Sequence, residues 1–290
     1  ATAKEERGIS WLVAMVGRSV VERLLAEPVV HPRSNVLDAA QRATRRHKFF
    51  ASLQREAALS CRSFVHVAGT KGKGSVCELV RSGLVAQGYR VGTFTSPHLH
   101  SVHERIRVGS RLASTRELEA FGTEALRRLD EVELPFAAEH GRGNKNLDDV
   151  ADGWGAVFFD RLLATALLFF GDQKCDAVVM EAGIGGTFDS TNFLEDHAVA
   201  VVTSISKDHT ALLGDTLREI ATHKAGVARP RRPLLTSRAQ PTEALEAIRA
   251  QVRKVGAILE EIDVPTHGPS SSSSSSSSRR PTEAENVALA

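Results

Sequence analysis

The residues Gly69-Thr70-Lys71-Gly72-Lys73-Gly74-Ser75 carry the plainest chemistry in this sequence. An apolar, strand-like run leads into them and a helix-like run leaves them. A glycine-rich turn between strand and helix lets backbone N–H groups close around a phosphate. Lys73 adds a point charge for the outer phosphates, and Ser75 a hydroxyl that can reach Mg²⁺. The run departs from the standard phosphate loop, because its glycines stand closer together and Gly74 separates lysine from serine. The plainer alternative is a glycine-rich connector with an exposed lysine.

Further groups end other strand-like runs. Asp176-Ala177-Val178-Val179-Met180-Glu181 is apolar until its closing carboxylate, where phosphate-loop proteins hold Mg²⁺. Gly183-Ile184-Gly185-Gly186 follows and lets backbone approach a ligand closely. Lys207-Asp208-His209-Thr210 follows the next strand. In an open parallel sheet the carboxyl ends of strands face one crevice, so Glu181 and His209 are expected to converge. Thr95-Ser96-Pro97-His98-Leu99 brings the Ser96 hydroxyl to the same rim. His103-Glu104-Arg105-Ile106-Arg107 reads as a charged loop whose guanidinium groups suit carboxylate or phosphate, or simply face solvent. Lys224 looks like an ordinary surface-helix lysine.

The elements that must position these groups alternate from residue 63 onward. Strands are expected at 64–68, 90–95, 176–181, 199–203, 233–236 and 257–260. Helices are expected at 9–25 and 36–53, then at 76–87, 115–130, 154–170, 216–227 and 242–255. Ser114 with Glu117 and Thr216 with Glu219 form capping boxes, and Gly88 stops the first inter-strand helix. Apolar strands alternating with helices predict an α/β fold, a doubly wound, mostly parallel sheet covered on both faces. The basic set Arg42, Arg45, Arg46 and Lys48 reads as a solvated helix face.

With 290 residues and 42% hydrophobic content the chain can build a real core. A net charge of +2 gives no nucleic-acid surface. The widely spaced Cys61, Cys77 and Cys175 form no metal or redox pair and fit a reducing compartment. No apolar stretch is long enough for a bilayer, and residues 1–8 mix acids and bases, unlike a secretory signal. Residues 139–153 read as a polar surface insertion, and Ser270 to Ser278 is a serine tract that cannot pack. The sequence has no initiator Met, and its last residues, Asn286-Val287-Ala288-Leu289-Ala290, read as the start of a helix cut short. The expected organisation is an N-terminal domain over 1–268, a linker over 269–282 and the truncated start of a second domain over 283–290.

Taken in order, these motifs resemble the folylpolyglutamate synthase and dihydrofolate synthase family of the Mur ligase superfamily. The resemblance rests on the 69–75 run, Ser96-Pro97-His98-Leu99 with Glu104-Arg105-Ile106, Glu181 to Gly186 with Asp189-Ser190-Thr191-Asn192, Asp208-His209-Thr210, and Lys224-Ala225-Gly226. It implies a Mur-ligase-type ATP-binding domain lacking its C-terminal partner. It also implies an ATP- and Mg²⁺-dependent ligase that adds L-glutamate to the terminal carboxylate of a folate through an acyl phosphate. Carried over from the family, Gly69, Thr70, Lys71, Gly72, Lys73, Gly74 and Ser75 bind ATP, with Asn286 near the adenine. Ser96 and Glu181 hold one metal ion; Glu181, His209 and Lys224 hold another, the lysine as a carbamate. Lys73, His209 and Lys224 are the catalytic set. The resemblance leaves open a dedicated dihydrofolate synthase acting on dihydropteroate, or a bifunctional enzyme. A phosphate-loop ATPase or kinase and a non-catalytic nucleotide-binding remnant are the readings from other classes. The expected partners are small molecules only, with no nucleic acid and no membrane, for a monomer of the cytoplasm or, in another form, the mitochondrion.

Overall fold

The computed structural model describes Val20 and residues 39–56, 63–139 and 158–263, with no side-chain account of 39–42 and 132–139. The 9–25 helix, most of the 139–153 insertion, the serine tract, the expected domain boundaries and Asn286 lie outside the described residues.

In chain order the strands are β1 (Ser63–Ala68), β2 (Val91–Phe94), β3 (Ile106–Val108), β4 (Arg111–Leu112), β5 (Ala177–Glu181), β6 (Val199–Val202), β7 (Pro233–Ser237) and β8 (Ile258–Ile262). The α-helices are α1 (Ala39–Glu56), α2 (Lys73–Ala86), α3 (Thr115–Glu139), α4 (Phe158–Asp172), α5 (Thr210–Leu213), α6 (Leu217–Lys224) and α7 (Thr242–Val255). The strands form one sheet in the order β4-β3-β2-β5-β1-β6-β7-β8. From β2 to β8 every pairing is parallel, and the two antiparallel pairings, β2 with β3 and β3 with β4, lie at one edge. The expected doubly wound, mostly parallel sheet is therefore the observed one.

Strand alternation divides the core. Val65, Val67, Val91, Val179 and Val201 point to one face and pack with Val76 and Cys77 of α2. Phe64, Phe94, Val178 and Met180 point to the other, under α1, α3 and α4. Ala200, Val202 and Leu234 continue that second face under α6 and α7. Burial of both faces explains why these strands read as nearly unbroken apolar runs.

From β1 the chain leaves toward β2, whereas β6 leaves toward β7. Neighbouring strands whose connections diverge open a crevice at their carboxyl ends. The residues after β1, β2, β5 and β6 are those singled out in the sequence for chemistry.

Several expectations need correction. Residues 103–107 are not a loop: Val102–Arg105 is a 3-10 turn and β3 follows, paired with β2 through Phe94 and Ile106. A three-residue strand is too short to show a period, so only its partner reveals it. Nor is the basic stretch of α1 wholly solvated. Arg46 reaches the fully buried Asp160 at 3.7 Å, and His47 Nε2 lies 2.7 Å from the Asp189 carbonyl. Helix α3 runs on to Glu139, so residues 131–139 extend the expected helix. Among the described residues no helix is long and apolar enough to cross a membrane.

Candidate active site

Strand β1 delivers the glycine-rich turn. Gly69 has φ +146°, and a Cβ there would fall 1.8 Å from Thr203 Oγ1, so only glycine fits. The turn is tied to the segment after β6. Thr70 N–H donates to the Ser204 carbonyl at 3.0 Å, and the Thr70 hydroxyl donates to the Ser206 carbonyl at 3.1 Å. Gly72, at φ +87°, is the N-cap of α2, and no side chain caps that helix. Helix α2 begins at Lys73, earlier than the expected residue 76, so Lys73, Gly74 and Ser75 form its first turn. Their N–H groups lack partners within the helix and carry the positive end of its dipole, an anion-binding arrangement.

The carboxylate of Glu181 ends β5 beside this turn and is only 3% exposed. Its Oε2 accepts from Ser96 N–H at 3.0 Å, and its Oε1 lies 3.8 Å from Lys73 Nζ. Burial raises its pKa from 4.5 to about 6, against the opposing pull of the Ser96 N–H, Lys73 and Arg105. Gly74, in the first turn of α2, lies beside that carboxylate, at ordinary contact distance from Glu181 Oε2 for a Cβ built on it.

Lys224 is no surface lysine. It is 2% exposed at the end of α6, and its Nζ donates to the Gly69 carbonyl at 2.7 Å. Burial, helped by the nearby Lys73 charge, lowers its pKa from 10.5 to about 8. His209 has φ +48° and an exposed side chain, with Nε2 3.6 Å from Asp208 Oδ2. Ser75 and Lys71 are also exposed. The structure thus gathers Lys73, Ser96, Glu181 and Lys224 around the turn, with His209 on an outward-facing corner of the same rim.

The loop after β5 is fixed by contacts that sequence reasoning missed. A Cβ on Gly186 would meet the His223 and Lys224 carbonyls at 2.7 Å, so this glycine lets the loop lie directly on the end of α6. Thr187 N–H donates to the His223 carbonyl at 2.9 Å, and Asn192 Nδ2 donates to the carbonyls of Thr187 and Gly226 at 3.1 and 3.2 Å. Asp189 accepts from Ile184 N–H through Oδ2 and from Thr191 N–H and hydroxyl through Oδ1. The Thr191 hydroxyl gives its proton to Asp189, so it accepts from His66 Nε2 at 2.8 Å. A fully buried histidine on β1 thereby sets the loop through Thr191 and Asp189. On the other side, Glu104 accepts from the N–H groups of Leu99, His100 and Ser101 and holds the turn that follows Ser96. A third capping box, Ser101 with Glu104, belongs to the same turn.

Ser96 and Glu181 offer oxygen donors at adjacent strand ends, the donor type a hard cation takes. Lys224 as an ammonium is a hydrogen-bond donor, not a metal donor. Among the described residues no three His, Cys, Asp or Glu side chains are grouped to hold a metal.

No family model matches the chain. A Bacillus subtilis protein named dihydrofolate synthase/folylpolyglutamate synthase is 38% identical over 198 residues, 68% of this chain and 42% of that protein. The E. coli FolC structure in complex with DHPP and ADP superposes with a TM-score of 0.63 at 28% identity, covering 85% of this chain and 53% of that one. An FPGS–AMPPCP–folate complex superposes with a TM-score of 0.67 at 26% identity, covering 86% of this chain and 56% of that one. Over about two thirds of its length the chain is similar to curated folylpolyglutamate synthase and dihydrofolate synthase proteins at 34–39% identity. It spans less than half the length of the Bacillus relative. The family motifs noted in the sequence surround one rim: the 69–75 turn, the Ser96 turn held by Glu104, the 183–186 loop and the end of α6 that carries Lys224.

Proposed function

We propose that this chain forms the ATP-binding part of a monomeric, ATP-dependent ligase that adds L-glutamate to the terminal carboxylate of a folate. The observation that carries this reading is the meeting of Lys73, Glu181 and Lys224 at one phosphate-binding turn within a chain similar to these proteins. A carboxylate is a poor acyl donor because its oxygen leaves badly. Transfer of the terminal ATP phosphoryl group makes that oxygen part of a phosphate, and the glutamate amine then displaces it to form the amide. Anions must meet in such a sequence, so the site must supply cationic and N–H groups where charge accumulates.

The first-turn N–H groups of α2 and the ammonium of Lys73 grip the ATP phosphates, with Gly69 to Ser75 lining them. Asn286, given by the family resemblance as near the adenine, lies outside the described residues. Ser96 and Glu181 would hold a Mg²⁺ ion, which neutralises phosphate charge when bound. The second set, Glu181, His209 and Lys224, needs Lys224 as a carbamate. Its neutral amine, accessible near pH 8, would add CO₂, losing one proton and gaining an anionic oxygen. As an amine, Lys224 instead holds the Gly69 carbonyl and so the start of the turn.

Labelled-glutamate incorporation by the intact gene product tests the reading. Incorporation with tetrahydrofolate as acceptor supports it; incorporation with dihydropteroate alone moves the assignment to dihydrofolate synthase, and with both to a bifunctional enzyme. Hydrolysis of ATP with no glutamate product under any acceptor refutes it.

A further inference from the structure

We infer that Arg105 is an oxyanion receptor that takes the terminal carboxylate of the acceptor substrate, the group ATP must phosphorylate. The inference rests on the ligase reading above and adds a residue and a subsite to it.

Arg105 is 8% exposed, where a cation normally needs a counter-charge. Arg81, the other arginine so buried among the described residues, has one: its guanidinium is bound by Glu78, the Gly109 carbonyl and Ser110. No carboxylate forms an ion pair with Arg105 among the described residues, and Glu181 acts on it only from beyond contact distance. Its Nε donates to His98 Nδ1 at 2.8 Å, and its Cζ sits 4.8 Å from the Phe158 ring centroid. The two Nη nitrogens make no hydrogen bond among the described residues. A guanidinium stacked on a ring and anchored through Nε presents its Nη pair as a ready fork for a planar carboxylate.

The surroundings pre-set that fork. His98 belongs to the turn whose next N–H groups are clamped by Glu104, the residue before Arg105. Arg105 lies near enough to Glu181 for their charges to interact. Glu181 meets Lys73 at Oε1 and the Ser96 N–H at Oε2, so the phosphate turn and the Ser96 turn come together at this one carboxylate. Lys73 marks the phosphate side. Arg105 is tied through His98 to the Ser96 turn, a separate segment from the phosphate turn. In-line phosphoryl transfer requires the attacking carboxylate to approach opposite the leaving group. Arg105 is placed to hold that attacking group and leave ATP to the phosphate turn.

The test is steady-state kinetics on the intact gene product with each substrate varied in turn. Arg105→Gln is expected to raise the acceptor KM about 10- to 100-fold, the worth of a charge-assisted hydrogen bond, with ATP and glutamate KM little changed. Arg105→Lys should recover part of the loss, and added guanidinium should recover part of it in Arg105→Ala. An unchanged acceptor KM overturns the inference, as does a rise confined to glutamate or to ATP. If Arg105→Gln unfolds, Arg105→Lys, which keeps the charge but not the fork, gives the reading. If the wild type incorporates no glutamate, the ligase reading fails instead. Calorimetric binding of glutarate then tests the receptor: weaker binding to Arg105→Lys than to the wild type supports it and equal binding overturns it.

Discussion

Lys73 and Glu181 face each other at 3.8 Å, yet their roles separate cleanly by what each loses on substitution. Lys73→Ala removes a cation from beside the transferring phosphate. The expected loss in glutamate incorporation is at least about 10²-fold, comparable to deleting one transition-state donor. The midpoint of thermal unfolding should stay near the wild-type value, because Lys73 is half-buried on a helix start rather than in the core. Glu181 is different, because it weakens the fold that holds it. Its folded pKa of about 6 lies above the ordinary 4.5, so between these values the folded state binds more protons than the unfolded. Stability therefore falls as pH rises through that window, and the penalty is complete above pH 6. Glu181→Gln should raise stability at pH 7.5 by roughly 2 kcal/mol while abolishing activity, and the gain should vanish below pH 4.5. Urea denaturation at both pH values checks this. A variant that is destabilised at pH 7.5 would show the carboxylate to be a structural partner rather than a stored charge.

At the scale of elements, the site depends on how closely backbone segments approach. The 183–186 loop rests on the end of α6, and that end carries Lys224 to the phosphate turn. Gly186→Ala would push a methyl group to within 2.7 Å of two backbone carbonyls, which cannot move aside as a flexible side chain can. It is expected to cost about 1–3 kcal/mol and to lower activity by shifting Lys224. Gly83, inside α2, meets nothing within 4 Å of its would-be Cβ. Gly83→Ala should therefore stabilise by about 0.5–1 kcal/mol and leave activity unchanged. Urea unfolding of the pair separates the role of close approach from that of helix propensity.

Across the whole molecule, the phosphate turn binds to the segment after β6, and α6 reaches back to the turn. The two sides of the sheet therefore meet at one ligand-facing loop. A ligand that binds only the folded state stabilises it by RT ln(1 + L/Kd), with L its free concentration. Mg²⁺–ATP at 100 times its Kd should stabilise the chain by about 2.7 kcal/mol. The rise in thermal midpoint should be lost in Lys73→Ala and retained in Gly83→Ala. No rise in the wild type would remove the nucleotide from the reading of this site.

The sequence by itself determined the parallel strands of the sheet and the groups that end them. Strands buried on both faces must be apolar along most of their length, and β1, β5 and β6 show it as runs ending at Ala68, Glu181 and Val202. The Thr216–Glu219 capping box is local, so its residues announce it. Gly69 and Gly186 were visible as glycines, but what each one avoids is a partner from elsewhere in the chain, Thr203 in one case and the end of α6 in the other. β3 stayed hidden because three residues carry no period. Lys224 could not be told from a surface lysine, since its burial and its bond to Gly69 span 155 residues. Arg105 was legible as a charge suited to anions, but not as a buried one fixed by His98 and Phe158. Residue type and local spacing decide what chemistry a chain can attempt. Contacts between distant segments decide which of those groups are buried, aimed and left waiting for a ligand.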